Sequence, residues 1–283
     1  SITGGTNNVA IGGNSVLSNL TTGGGNVAIS RGAGQNITTT SQCILIGGDA
    51  GNTLDGTGPN GSIAIGHLAL ATHTTGARNI AIGWEAMHDT NAGSTSQGSD
   101  DNVFIGYSAG GGTWADAASN QNVAIGNLSM DSALDGALNN TAVGHQALSS
   151  ITTADENTAV GHTSMLGITT GGYNTAVGIQ SLYRNQTGTG NVAIGKGALE
   201  GSPGESHSNN TAVGFEALND ATTGHSNIAV GYQAGDAITT GTQNILVGMH
   251  AGGGSNMTSH SDNVFIGHQA GISNNASENT FVG

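Results

Sequence analysis

The chain has 283 residues, of which only 8% are charged, and Gly alone contributes 50. Its net charge is −14 and its only basic residues are Arg31, Arg78, Arg184 and Lys196, so it lacks the cationic cluster needed to track a phosphate backbone or an anionic membrane surface. No apolar run approaches the ~20 residues that span a bilayer, and a lone cysteine, Cys43, excludes an intrachain disulfide.

Read from the N-terminus, one phrase recurs: Asn, a β-branched residue, usually Ala, then Ile or Val, then Gly. It opens at residues 8, 26, 43, 62, 79, 102, 122, 140, 157, 174, 191, 210, 227, 244, 263 and 279, most often 17 residues apart. A fixed period of this length is the signature of a solenoid. The expected fold is all-β: a parallel β-solenoid of ~17-residue two-strand coils. It fills 1–283 as a single repeat domain of sixteen coils, the first preceded by a short stub and the last truncated. Low charge with much Gly, Asn, Ser and Thr also marks disordered chains. Here the regular Val and Ile positions supply a core line in every repeat.

With the Asn slot as position 0, position 1 is Val, Ile or Thr and position 3 is Ile or Val (Val9 and Ile11, Thr141 and Val143). Residues i and i+2 of a strand share a face, and β-branched residues suit a half-buried pleat. Positions 1 and 3 are therefore expected to face the core. Position 4 is Gly except at Ser30, which predicts a corner with positive φ or close backbone approach. Position 7 is Ala or Ser and position 8 is Leu, Met, Val (Val16) or Gly, so positions 5–8 are taken as the second strand. Thr-Thr-Gly turns often follow, as at Thr169–Gly171 and Thr222–Gly224. Stacking at ~4.8 Å would place like over like, with an amide ladder along Asn140, Asn157, Asn174 and Asn191 and a rod of roughly 75 Å. Pro59 and Pro203 fall late in 19-residue repeats, and Thr90–Asp101 in the longest repeat is expected to be a surface loop. Cys43 occupies an Asn slot and is expected to be structural. The chain has no initiator Met or signal peptide and stops just after a fresh phrase, which suggests a processed product or an excised fragment.

Two positions co-vary. Leu45, Phe104, Leu246 and Phe265 replace Ala at position 2, and their own repeats carry Gly51, Gly110, Gly252 and Gly271 at position 8. Repeats with Leu, Met or Val at position 8 keep Ala at position 2. Close packing makes this a volume exchange between side chains that share a space. Because position 2 points away from positions 1 and 3, that space is expected to be a second apolar region such as a subunit interface. A coil this thin exposes apolar surface on more than one side, and three chains around an axis would cover it.

The Asn-Thr-Ala-Val-Gly-x-x-Ala-Leu units resemble repeats in fibre and tail-fibre proteins of phages and, more loosely, the β-roll heads of trimeric autotransporter adhesins. The resemblance covers nearly the whole chain. It implies a homotrimer of parallel β-solenoids, extracellular exposure on a virion or cell surface, and a role in attachment. The resemblance also implies that some phage relatives carry a C-terminal self-cleaving chaperone that trimerises the chains. The 17-residue unit is longer than that of the adhesin heads.

Position 5 is the column richest in chemistry. Trp84, Tyr107, His145, His162, Phe215 and Tyr232 offer rings for a sugar or receptor, or simply cover a neighbouring chain. No carboxylate or Cys column joins His145 and His162, so no metal site is assigned. Asp100–Asp101 and Asp155–Glu156 are adjacent acids, whereas glycoside hydrolysis needs carboxyls facing across a cleft. With no phosphate loop, nucleophile elbow or zinc spacing, the expectation is a non-enzymatic fibre module without cofactors. Its partners would be itself and a host glycan or receptor, with no nucleic acid and no membrane insertion. A cell-surface adhesin or secreted filament and a polysaccharide-degrading tailspike are the alternatives. Ice binding would need an exposed Thr array, and Thr at position 1 is expected to be buried.

Overall fold

The structure is a computed structural model and describes residues 4–55, 60–90, 98–202, 204–254 and 257–283. Pro59, Pro203 and the centre of the Thr90–Asp101 loop lie outside the described residues. Sixteen strands of three residues each coincide with the sixteen phrases, and there is no α-helix among the described residues. Two compact units carry them. Residues Ser1–Gln146 and Ile151–Thr153 hold β1 (Val9–Ile11) to β8 (Thr141–Val143); Ala147–Ser150 and Ala154–Gly283 hold β9 (Thr158–Val160) to β16 (Thr280–Val282). Within each unit the strands pair in parallel, like over like: Ala124 faces Ala142 in the first, and Ala176 lies between Ala159 and Ala193 in the second. Both units are thus parallel β-solenoids.

The inside and outside of the strand are the reverse of the expectation. Position 2 is the buried one: Ala28, Ala64, Ala142, Ala176, Ala212, Leu45 and Phe104 are all fully buried. Positions 1 and 3 face outward: Ile125 is 40% exposed, Val177 38%, Ile194 41% and Ile228 42%. Most coils hold Ala at position 2, usually beside a Leu or Met at position 8 that fills the rest of the space. Ala fits there, and the Val, Ile and Thr methyls pack along their own columns on the outer face.

The segment after the strand is a tight turn, so each coil has one regular strand and not two. Gly at position 4 takes φ near +140° (143° at Gly106, 138° at Gly178). That region is closed to other residues, and a Cβ added at Gly106 would lie 2.5 Å from the Gly126 carbonyl oxygen of the next coil. Positions 6 and 8 are left-handed, for example Gln146 at φ 54° and Leu148 at φ 52°. This conformation drives Leu148, Leu182 and Leu218 into the core, where they are fully buried. In the first repeat an extra residue shifts the frame, and Leu17, not Val16, fills this slot. A late core column completes the interior, with Leu20, Ile37, Leu54 and Trp114 in the first unit and Ile168 and Ile238 in the second.

The Asn ladder is present and buried. In the first unit Asn140 donates its backbone N–H (3.0 Å) and Nδ2 (3.1 Å) to Oδ1 of Asn122. In the second, Asn174 donates the same pair to Asn157 and Asn191 to Asn174, at 2.9–3.1 Å. The Nδ2 groups of Asn174 and Asn191 also reach a carbonyl late in their own coils, Gly188 at 3.0 Å and His207 at 2.8 Å. The ladder therefore closes the coil as well as stacking it, and satisfies groups that would be costly to bury unpaired. Cys43 keeps half of this role: its N–H donates to Asn26 Oδ1 at 3.0 Å. A second polar ladder, two residues before the Asn, caps backbone N–H groups of the preceding coil, as in Gly24 to Ser41 Oγ (3.0 Å) and Thr242 to Ser261 Oγ (3.0 Å).

The volume exchange is a contact within one chain, in the core itself and not in a separate interface region. A Cβ placed on Gly110 would sit 2.5 Å from the Phe104 ring, and one on Gly51 2.6 Å from Leu45 Cδ2. The exchange also reaches the preceding coil. Gly34 and Gly235 share repeats with Ala28 and Ala229, yet a Cβ there would meet Leu45 Cδ1 at 2.8 Å and Leu246 Cδ1 at 2.6 Å.

Candidate functional site

Two surfaces are built by the repeat, and both follow from its local geometry. The first is the outer strand face. Every coil adds positions 1 and 3, so each unit presents a parallel-sheet face of Val, Ile and Thr that is mostly half-buried, with Ile125, Val177, Ile194 and Ile228 among those about two-fifths exposed. The face has no charged side chain at these two positions. Thr158 is exposed and Thr141, Thr175 and Thr211 half-exposed, so burial is not what argues against an ice-binding Thr array. Val and Ile outnumber Thr in the column, as the sequence shows.

The second surface is the position 5 column, which the corner Gly turns outward. In the first unit Trp84 stacks on His67, with centroids 4.4 Å apart and planes 25° apart, and is 53% exposed. Tyr107 is exposed, and its backbone N–H donates to Asn127 Oδ1 at 3.0 Å. His145 is exposed. In the second unit Phe215 and Tyr232 stack at 5.3 Å and 6°, Lys196 Nζ stands 4.9 Å from the Phe215 centroid, and His250 meets Tyr232 edge-on at 5.4 Å. Exposed His162 contacts Thr163 Oγ1 at 3.3 Å. The structure thus brings together Phe215 and Tyr232. It also adds His67, Lys196 and His250, which the list of six had left aside. In the two stacked pairs of this column each ring covers one face of its neighbour. A sugar stacks on a ring face, so Phe215 and Tyr232 form a cohesive strip better than a stacking platform.

The adjacent acids are engaged locally. Asp100 Oδ1 accepts the Ala77 N–H at 2.6 Å, whereas Asp101 holds Arg78 through two bonds of 2.6 and 2.8 Å, which keeps its carboxyl below the usual range. Burial raises the pKa of the Cys43 thiol, the opposite of what a reactive thiolate needs.

Two buried histidines were missed. His73 stands in the late core column, with Nδ1 3.0 Å from Thr90 Oγ1 and Nε2 3.1 Å from Asn79 Nδ2. Since the Asn79 amide donates, Nε2 accepts, and the ring is neutral with its proton on Nδ1. His207 lies beside Asn185, Nδ1 to Nδ2 at 3.3 Å. Burial lowers both pKa values to about 4. For His73 the signal available in the sequence was a polar residue in a mostly apolar column that unequal repeat lengths hide; His207 instead stands in the turn slot of Gly188, its carbonyl accepting the Asn191 Nδ2 as Gly188 accepts that of Asn174. Among the described residues no helix is long and apolar enough to cross a membrane. The chain matches no protein-family model and no curated protein.

Proposed function

We propose that the chain is a non-enzymatic structural module of an extracellular attachment fibre, most simply a phage tail fibre or virion fibre, and that it works as a homotrimer. The observation that carries this reading is the outer strand face. A column of Val and Ile repeated coil after coil, several of them about two-fifths exposed, is the kind of apolar face that serves as an interaction site. A partner for a face that repeats coil by coil should repeat with the same period, and a second copy of the same array does so. Homo-oligomers closed by symmetry are the common solution, and three narrow columns around an axis would bury one strand face from each. A function spread evenly over many like coils suits spacing and display more than a reaction centred on one cleft. Residues turned away from the shared face would meet a host glycan or receptor.

The test is the mass of the native particle, paired with a substitution on the shared face. Three chain masses for the native protein, falling to one for Val177→Asp with the far-ultraviolet spectrum kept, support the reading. A stable monomer at micromolar concentration refutes it.

A further inference from the structure

The second unit holds a cleft of about 230 Å³ lined by Leu166, Gly167, Tyr183, Arg184, Gln186 and Gly204. Its floor is held by ladder bonds on both sides: the Gly167 N–H donates to the Tyr183 carbonyl at 2.8 Å, and the Arg184 N–H to the Glu200 carbonyl at 3.0 Å. The guanidinium carbon of Arg184 stands 5.5 Å from the Tyr183 ring centroid. This arginine differs from Arg78, whose Nε and Nη2 are committed to Asp101 at 2.6 and 2.8 Å. It forms a long ion pair with Glu200, Nη2 to Oε1 at 3.7 Å, and Nη1 donates to the Gly201 carbonyl at 3.5 Å. With 40% of the side chain exposed, a planar fork of donors is loosely engaged at the mouth of a cleft.

We propose that this cleft binds a carboxylated sugar unit, such as a uronic acid, of a surface glycan. The guanidinium fork matches a carboxylate bidentately. Leu166 and Tyr183 offer an apolar wall to the C–H face of one pyranose ring, and the Gln186 amide can donate to and accept from its hydroxyls. The chain's net charge of −14 opposes anions at long range, where salt screens it beyond ~8 Å; locally an incoming carboxylate would share Arg184 with the Glu200 carboxylate 3.7 Å away. The residues belong to the turn side of the coil and not to the strand face that copies would cover. The proposal rests on the attachment reading only for the source of the sugar.

Methyl glucuronide, methyl glucoside and inorganic phosphate, titrated separately into the native protein, test it by saturation-transfer NMR and calorimetry. Methyl glucuronide should bind saturably, and both other probes should bind about tenfold more weakly or worse. Arg184→Gln and Tyr183→Ala should each weaken the glucuronide about tenfold, and Arg184→Lys, which keeps the charge but loses the fork, should fall between. Equal binding of methyl glucoside, phosphate binding as tight as the glucuronide, or full affinity in Arg184→Gln would overturn the proposal. The particle mass, measured on the same samples, distinguishes this failure from failure of the trimer.

Discussion

The exchange between positions 2 and 8 gives the sharpest prediction about the core. Phe104 is fully buried, its ring lies where a Cβ on Gly110 would stand, and Trp114 packs edge-on against it at 5.7 Å while donating Nε1–H to the Gly110 carbonyl at 3.0 Å. Phe104→Ala alone should leave a cavity and cost about 3–5 kcal/mol. Gly110→Leu alone should overpack by about 1–3 kcal/mol. The backbone contributes further. Gly110 sits at φ 61°, a conformation that costs a residue with a side chain about 1–2 kcal/mol. Sister coils accept that cost, with Leu148 at φ 52° and Leu182 at φ 50°. The double variant recreates the Ala142/Leu148 pairing. Its loss should be smaller than the sum of the singles by about 0.5–3 kcal/mol, limited by how well Trp114 repacks. Equilibrium denaturation of the four proteins measures the coupling. Strict additivity would mean that the two positions do not share a space and that the sequence correlation is an accident of repeat ancestry.

Stability should also depend on pH through His73 and His207. Both are neutral when folded, with pKa values lowered from 6.5 to about 4. The unfolded chain takes up protons first, so their contribution is complete above pH 6.5 and is lost as pH falls toward 4. Each should remove about 3 kcal/mol across that window; replacing both by Gln should flatten the decline in denaturation midpoint, and an unchanged slope would contradict their assignment. Asn174→Ala removes the oxygen that accepts the Asn191 N–H at 2.9 Å and its Nδ2 at 3.0 Å. Leaving those buried donors unpaired should cost about 1–3 kcal/mol each. Asn19→Ala, which breaks an exposed amide pair with Asn36 at 3.2 Å, should stay within about 0.5 kcal/mol. Equal losses in the two variants would show that the buried ladder has no special weight.

The period, the strands, the corner Gly, the Asn ladder and the pairing of Phe104 with Gly110 were legible because each rests on a local rule repeated in register. The direction of the strand was not. Alternation divides a strand into two faces but does not say which is inward, and hydrophobicity favoured Val177 over Ala176. The cue lay in polarity and volume coupling: position 2 never admits Thr whereas position 1 does, and in the repeats that reach position 8, position 2 enlarges to Leu or Phe only where position 8 is Gly. The turn at positions 5–8 was hidden for a different reason. Leu148 and Met165 adopt left-handed φ, at 52° and 51°, which their propensities oppose and tertiary packing imposes. The late core column escaped because insertions shift Trp114 and Leu134 by one residue from the slot of Ile37. The aromatic column was visible at position 5, but its rings stack along the axis, and no sequence pattern states which way a ring will turn.

Whether the outer strand face meets other copies of the chain decides the functional account. Sedimentation of the native protein at micromolar concentration, beside Val177→Asp and Val230→Asp, tests this most directly. These side chains are 38% and 37% exposed, so in a single chain the charge should cost little and the coil should stay folded. The account predicts three chain masses for the native protein and one for both variants, with unchanged secondary structure. A native protein that sediments as a monomer, or variants that unfold while the native protein never associates, would contradict it.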